Sequence, residues 1–283
     1  MDPLRPELAA ALAAWAARVR ANREQVEQYR EEMPRADHYA PLAEHFRHDP
    51  RRTDDPVVEA LAALARPEDT WLDIGAGGGR YTLPLALRVR EVLALDASPR
   101  MLEVLRESMA AHGIANVRPI EARWPLPDPP RADVALITHV GYDIEAIGPF
   151  LDAMEAAATR LCVAALFLQR PTWAADALWP AVHGVARAPL PALPEFLALQ
   201  LARRRPFALR LIDTPPPSYA SFEQALTFAR VQTWVQPGSA KDQRLQAVLR
   251  ERLQERDGRW AFRWAPMRLG IVTWTPGDTL PAD

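Results

Sequence analysis

The stretch TWLDIGAGGGRYT, Thr70–Thr82, decides how this chain folds. Its first residues, 70–74, fit a buried strand, and glycine follows at alternate positions, as Gly75, Gly77 and Gly79. Glycine adopts positive φ and lacks a Cβ, so a ligand can approach the backbone of such a loop closely. A helix that begins near the last glycine would leave unpaired N–H groups, which favour an anion or a carboxylate. The stretch therefore predicts a strand, a ligand-binding loop and a helix in succession.

Two residues of this stretch separate the cofactors that use such loops. A dinucleotide-binding fingerprint, G-x-G-x-x-G, needs glycine where this chain has Arg80. Asp73 precedes the glycines, and its carboxylate would repel a pyrophosphate but attract a cationic ligand. A strand-to-helix turn without a ligand is the simpler alternative.

With Asp73, Gly75, Gly77 and Gly79 in this order, the stretch resembles the first motif of the class I S-adenosylmethionine-dependent methyltransferases. The resemblance implies S-adenosylmethionine as the cofactor, because its ammonium and sulfonium groups suit an acidic residue beside the loop. It also implies a cofactor contact from Ala76. Two alternatives stay open: an oxidoreductase with a nicotinamide or flavin cofactor on the same fold, and a non-catalytic protein that binds S-adenosylmethionine.

A second buried strand is predicted over residues 91–96, and it ends in a carboxylate. Asp96 follows the glycine loop at nearly the interval of about 20 residues at which such folds place an acid against ribose hydroxyls. The resemblance implies the same role for Asp96 and places Ala97 and Met101 beside the adenine. A helix cap is the alternative role of an aspartate at this position.

A third strand is predicted over residues 116–123. The resembled family commonly carries an acidic residue and alanine here, in contact with the edge of the adenine. The resemblance therefore implies cofactor contacts from Glu121, Ala122 and Arg123, with glutamate in place of the usual aspartate. Trp124 could stack on the base.

The fourth predicted strand, residues 133–140, leads to the candidates for the acceptor side. Ligands of open α/β sheets bind at the carboxyl ends of the strands, so we expect Thr138 at the cofactor and Asp143 near the acceptor. His139 and Tyr142 are the predicted catalytic residues. A histidine titrates near neutrality, and His139 could remove a proton from an acceptor hydroxyl or amine. A hydrogen-bonded structural histidine is the alternative.

The succession of elements predicts an α/β fold with a Rossmann-like, doubly wound sheet of seven strands. Further strands are predicted over residues 161–168 and 207–213. The resemblance implies that the last strand is antiparallel, and residues 268–275 fit it.

The rest of the chain predicts additions to this fold. Residues 1–52 are expected to form an N-terminal helical cap, and residues 53–283 the cofactor-binding methyltransferase domain. Helical insertions are predicted near 171–206 and 217–258, and the first is rich enough in apolar residues to be a lid, part of the core or a subunit interface. The segment before the core carries Tyr39, which the resemblance brings to the cofactor.

Composition bears on the acceptor. A net charge of -2 gives no general attraction to nucleic acid or to an anionic membrane. The motif Asn/Asp-Pro-Pro-Tyr, which marks amino-methylation of bases in relatives of the family, is absent after the fourth strand. No run reaches the roughly 18 apolar residues of a membrane span. We therefore expect a cytoplasmic enzyme with a small, largely apolar acceptor and no nucleic-acid or membrane partner; a homo-oligomer is left open.

Neither cysteine chemistry nor a metal is predicted. Cys162 is the single cysteine and lies in an apolar run, so we expect a small buried side chain and no disulfide. His38, His45 and His48 lie close in sequence, but their spacing matches no common zinc pattern.

Overall fold

A computed structural model describes residues 7–33, 36–169, 173–262 and 267–281. Its strands are, in chain order, β1 Thr70–Ile74, β2 Glu91–Asp96, β3 Val117–Glu121, β4 Ala132–Thr138, β5 Ala158–Phe167, β6 Ala208–Thr214, β7 Ser218–Tyr219, β8 Leu253–Arg256, β9 Arg259–Phe262 and β10 Met267–Trp274. The α-helices are α1 Leu8–Tyr29, α2 Pro56–Ala62, α3 Thr82–Ala86, α4 Pro99–His112, α5 Ile147–Ala157, α6 Trp173–His183, α7 Leu193–Ala202, α8 Phe222–Thr233 and α9 Ala240–Arg252. A 3₁₀ helix, Ala40–Phe46, precedes α2.

Seven strands form the main sheet in the order β3-β2-β1-β4-β5-β10-β6. The strands β1 to β5 pair in parallel, and β10 is antiparallel to both of its neighbours, β5 and β6. The predicted fold class, a seven-stranded Rossmann-like sheet with an antiparallel last strand, is confirmed. Because β2 and β4 flank β1 on opposite sides, the direction of winding reverses there, and such a switch point opens a crevice for a ligand.

The central strands of the sheet are buried on both faces, which explains why they are continuous apolar runs. Side chains alternate across a strand, so Leu72 and Ile74 of β1 belong to one core cluster, with residues of α1, α5 and α7. Trp71 belongs to a second cluster on the opposite face, with residues of α2, α3 and α4. Cys162 on β5 is fully buried, as predicted for a small apolar side chain.

Two helices, α2 before β1 and α4 after β2, each begin at a residue whose side chain caps the first turn. Asp55 precedes α2 and accepts hydrogen bonds from the N–H groups of Val57 and Val58. Ser98 precedes α4 and accepts from the N–H of Met101. Both helices have proline near their first turn, where its missing N–H costs no hydrogen bond.

The two predicted insertions differ in composition. The first contains α6 and α7, whose apolar side chains are buried, including Leu178, Trp179 and Phe196. The second, predicted as helical, contains α8 and α9 but also the strands β7 and β8, which form a three-stranded sheet with β9 directly after the insertion. Side chains of α6, α8, α9 and this small sheet form a third core cluster. Of the three roles considered for the first insertion, these side chains therefore serve the core.

The N-terminal helix α1 lies against the main domain. Trp15 Nε1 donates to the carbonyl of Ile144, at 2.9 Å, and Asn22 Nδ2 donates to the carbonyl of Ala188. The division into a cap over residues 1–52 and a domain over 53–283 stays a prediction. Within the described ranges, the helices lack the combination of length and apolarity that a bilayer crossing requires.

Candidate cofactor and acceptor site

The glycine loop between β1 and α3 is closely packed on two sides. A Cβ on Gly75, whose φ is 81°, would collide with Val140 from the loop after β4. A Cβ on Gly79 would lie 2.6 Å from Leu105 of α4. At Gly77, by contrast, the nearest atom would be Met101 Sδ at 3.9 Å. The outer glycines therefore fit the loop into the fold, while the middle one leaves room above the backbone.

Asp73 ends β1 beneath this loop. Its Oδ2 accepts a hydrogen bond of 2.6 Å from Thr82 Oγ1, and its side chain is almost fully buried. The other oxygen, Oδ1, is buried without a partner among the described residues. Burial raises the pKa of this carboxyl to about 7. A buried carboxylate with an unpaired oxygen is costly, and a cationic ligand would remove that cost.

Asp96 lies at the end of β2 and holds the same loop from the other side. Its Oδ2 accepts from the N–H of Gly77 and its Oδ1 from the N–H of Ser98, both at 2.8 Å. Each oxygen of a carboxylate can accept a second hydrogen bond, so both remain able to bind the hydroxyls of a ribose. Burial raises the pKa of Asp96, although the two backbone donors oppose this shift.

The 3₁₀ helix and the residues before it lie over the glycine loop. Asp37 Oδ2 accepts a 2.6 Å hydrogen bond from Ser98 Oγ, which places it beside Asp96. A Cβ on Gly78 would lie 3.3 Å from Phe46. Tyr39 is 45% exposed, and its ring meets Phe46 edge-on at 6.4 Å between centroids. Tyr39 is thus close to the loop, and its contact with a cofactor stays a prediction.

The residues expected around the adenine lie along one edge of the crevice. Glu121 is in register with Asp96, and Ala122 donates its N–H to the carbonyl of Asp96 at 3.0 Å. Met101 is buried near Gly77 at the start of α4. Ala97 and Arg123 continue the chain from these strand ends, and the adenine contacts of all these residues stay predictions.

Trp124 does not join this group. Its indole is 8% exposed, and its Nε1 donates to the carbonyl of Phe150 on α5 at 3.2 Å. The expectation that it stacks on a base is therefore wrong, because the side chain turns into the core beside α5.

His139 lies directly after β4, on the other side of β1 from Asp96. Its φ is 60°, in the left-handed region that residues other than glycine adopt uncommonly. The imidazole stacks on Phe167 at 4.6 Å with an interplanar angle of 9°. Nε2 lies 3.3 Å from the hydroxyl of Tyr81, and Nδ1 is buried with no partner in the described part of the chain. Burial lowers the pKa of His139 to about 3, so the ring is neutral at pH 7.

Tyr142 and Thr138 complete the loop after β4. The hydroxyl oxygen of Tyr142 accepts a 2.8 Å hydrogen bond from the N–H of Phe167, at the end of β5. Burial raises the pKa of Tyr142, so its phenol stays protonated. Thr138 is 8% exposed and ends β4 opposite Ala165. Asp143 is exposed.

Tyr81 and Arg80 lie beside these candidate residues, and sequence reasoning did not single them out for the site. Tyr81 is 6% exposed and directly precedes α3, where a buried aromatic residue is also compatible with an ordinary core position. Arg80 lies over the ring of Tyr81, with Cζ 5.3 Å from the centroid. Both residues directly follow the glycine loop in the sequence, and this position could have marked them as candidates for the site.

The nearby histidines share this environment. Burial and then the charge of Arg80 lower the pKa of His45 to about 4 and that of His48 to about 3. His38 stacks on Trp234. In the described ranges, no three or more His, Cys, Asp or Glu side chains are grouped so that they could hold a metal ion.

Comparisons with known proteins agree with this geometry. A family model described as a methyltransferase domain matches residues 72–161. A probable cobalt-precorrin-6B C(15)-methyltransferase (decarboxylating) of Methanothermobacter thermautotrophicus is 31% identical over 114 residues, 38% of this chain and 59% of that protein. A 23S rRNA (uracil(1939)-C(5))-methyltransferase of Klebsiella pneumoniae is 44% identical over 52 residues, 18% of this chain and 12% of that protein. The chain thus matches less than two thirds of the length of either relative.

Solved structures extend the likeness over most of the chain. The S-adenosylmethionine-dependent methyltransferase of Thiobacillus denitrificans, in complex with S-adenosyl-L-homocysteine, has a TM-score of 0.54 at 16% identity and covers 87% of this chain and 99% of its own. The YcgJ protein of Bacillus subtilis has a TM-score of 0.54 at 17% identity, with 78% of this chain and 98% of its own covered. Residues 72–161 thus match a methyltransferase domain, and the solved structures share the Rossmann-like fold that surrounds it.

Proposed function

We propose that this protein transfers the methyl group of S-adenosylmethionine to a nucleophile on a small, largely apolar molecule. Asp73 is the observation that carries the proposal, because its buried Oδ1 lacks a partner among the described residues beside a loop with room for a ligand. The ammonium of the cofactor would pair with this oxygen. The oxygens of Asp96 would accept hydrogen bonds from the ribose hydroxyls.

The remaining cofactor contacts are proposed from the positions around these two carboxylates. They are Gly75, Ala76, Gly77 and Gly79 in the loop, Ala97, Met101, Glu121, Ala122 and Arg123 on the adenine side, Thr138 at the end of β4, and Tyr39 close to the glycine loop.

Alignment and exclusion of water are the main contributions we assign to the protein. The cofactor supplies an activated methyl group on a sulfonium that is already a good leaving group. A strong base is then unnecessary, provided that the acceptor is held in line and water is excluded. The lowered pKa of His139 fits this arrangement, because a neutral imidazole binds a hydroxyl or amine as a hydrogen-bond partner. We assign His139 to the acceptor side, with Nδ1 as the nitrogen that has no partner among the described residues.

Tyr142 has a different proposed task. Its hydroxyl accepts from the backbone of Phe167, and Phe167 stacks on the His139 ring. Tyr142 would therefore fix the aromatic surface against which His139 is oriented. Its effect on transfer is indirect, through the position of the imidazole.

The surroundings of His139 support an apolar acceptor. Phe167 stacks on the imidazole, and the ring of Tyr81 lies 5.9 Å from it between centroids. The net charge of -2 gives no general attraction to a polyanion. The relative that acts on cobalt-precorrin has a small-molecule substrate by its name, whereas the rRNA methyltransferase match covers 12% of that enzyme.

Transfer from methyl-labelled S-adenosylmethionine tests this proposal. The protein is incubated with the labelled cofactor and either a small-molecule extract or total RNA, and the label is followed by mass spectrometry. We expect label in the small-molecule fraction and none in RNA, with transfer lost in Asp73→Asn. Label in RNA alone would contradict the assignment of the acceptor. Tight binding of the cofactor without transfer to either fraction would favour the non-catalytic alternative.

A further inference from the structure

Two unpaired groups of opposite charge flank the glycine loop. Asp73, before the loop, has a buried carboxylate oxygen without a partner in the described part of the chain. Arg80, directly after the loop, likewise has a buried Nε–H without a partner there. Such an arrangement suits a ligand whose positive and negative groups are close together.

The charge of Arg80 is only partly balanced by its neighbours. Its Nη2 lies 3.3 Å from Asp55 Oδ2. The same oxygen already receives Nη2 of Arg52 at 2.9 Å and Nε of Arg52 at 3.2 Å. The other oxygen of Asp55 accepts from the first N–H groups of α2. One carboxylate thus faces two guanidinium groups, and the excess positive charge favours an additional anion.

Arg80 is nevertheless accessible to a ligand, because 41% of its side-chain surface is exposed. Its influence also extends along the crevice wall. The positive charge of Arg80 helps to lower the pKa of His45, His48 and His139, after the larger effect of burial at each. These three side chains are therefore kept neutral and add no positive charge beside Arg80.

Arg80 also lies at the end of the crevice near β4, where the amino-acid part of the cofactor would bind. It packs over Tyr81, whose hydroxyl lies 3.3 Å from Nε2 of His139 after β4. Asp96 lies at the end of β2, on the opposite side of β1. A cofactor whose ribose is held by Asp96 and which crosses the loop would bring its amino-acid end toward β4. That end carries an ammonium and a carboxylate.

We propose that Arg80 binds the α-carboxylate of S-adenosylmethionine while Asp73 binds its ammonium. The two ends of the glycine loop then pair with both charges of the amino-acid group. This inference rests on the proposed use of S-adenosylmethionine by this chain. A carboxylate on the acceptor is the other source of the same chemistry, and the experiment separates the two.

Decarboxylated S-adenosylmethionine is the probe, because it keeps the ammonium and sulfonium but lacks the carboxylate. Calorimetric titration compares its affinity with that of S-adenosylmethionine, on the wild-type protein and on Arg80→Met. We expect the wild type to bind S-adenosylmethionine about 10- to 100-fold more tightly than the probe, as charged hydrogen bonds allow. Arg80→Met should lose this preference by weakening S-adenosylmethionine alone, and Arg80→Lys should keep part of it.

Arg106→Met is the matched control, because Arg106 is an exposed arginine on α4. It should bind both ligands as the wild type does. Thermal unfolding shows whether Arg80→Met folds. If it does not, the affinities of Arg80→Lys and of the wild type for the two ligands test the assignment instead.

Two results would overturn the assignment. In one, Arg80→Met weakens both ligands equally, which indicates a structural role through Asp55. In the other, it leaves the affinity for S-adenosylmethionine unchanged, which assigns Arg80 to an acceptor carboxylate or to no ligand. Failure of the proposed function differs from both, because the wild type would then bind neither ligand.

Discussion

Asp73 is the residue whose titration is most closely tied to cofactor binding. Burial raises the pKa of its carboxyl to about 7 in the folded protein without ligand. Below that pH the group is protonated and cannot pair with an ammonium. The affinity for S-adenosylmethionine should therefore fall by up to about tenfold for each pH unit below 7 and level off above it.

Calorimetric titrations between pH 5.5 and 8.5 measure this dependence. Asp96 also has a raised pKa, and the variant Asp73→Asn separates the two carboxyls. Asp73→Asn should bind more weakly at pH 8 and lose most of the dependence on pH. A wild-type affinity that is constant over this range would show that Asp73 does not meet the cationic group.

Asp96 carries the proposed ribose contact. Asp96→Ala removes both acceptor oxygens and also releases the N–H of Gly77, so S-adenosylmethionine should bind at least about tenfold more weakly. Equilibrium binding measures the loss, and Glu103→Ala, an exposed change on α4, is the control. An affinity equal to that of the wild type would remove the ribose role.

The loop after β1 packs against the loop after β4, through Gly75 and Val140. Gly75 has a φ of 81° and no room for a Cβ beside Val140. Gly75→Ala should lower the free energy of unfolding by about 1 to 3 kcal/mol, from backbone strain and the collision together. Denaturant unfolding checks this value.

Val140→Ala provides the matched second change. In the double variant the collision is relieved while the strain at position 75 remains, so only part of the loss should return. A Gly75→Ala protein as stable as the wild type would mean that the two loops are not packed as described.

Helix α7 contains the one fully buried glutamine whose amide oxygen and nitrogen both lack partners in the described ranges, Gln200. Burying an amide without hydrogen bonds costs free energy that an apolar side chain of similar volume would avoid. Gln200→Met should therefore raise the stability by about 1 to 2 kcal/mol. Thermal unfolding measures the shift, and a lower midpoint would indicate that the amide is hydrogen-bonded in solution.

At the scale of the whole molecule, the sequence predicts most where the determinants are local. The apolar run before Asp73, the alternate glycines and the carboxylate at the end of β2 each follow from a short stretch. A parallel strand buried on both faces needs such a run, so the main sheet could be predicted.

Features that depend on distant contacts could not be predicted in this way. Tyr81 lies after the glycine loop that follows β1, and His139 lies directly after β4. Their contact joins two distant stretches of the chain, and neither residue type marks it in the sequence. Trp124 is adjacent to the adenine edge in sequence, yet packing on α5 turns it inward. In the small sheet β7-β9-β8, the strands β7 and β8 have two and four residues, too few for a clear alternation of apolar side chains.

Calorimetric titration of the wild-type protein tests whether its cofactor is S-adenosylmethionine. The ligands compared are S-adenosylmethionine, S-adenosylhomocysteine and the oxidised and reduced nicotinamides. The unpaired oxygen of Asp73, the acid at the end of β2 and Arg80 in place of a third fingerprint glycine all favour the first two ligands. We expect saturable binding of S-adenosylmethionine and S-adenosylhomocysteine at one site and no binding of the nicotinamides. Binding of a nicotinamide alone would contradict this expectation.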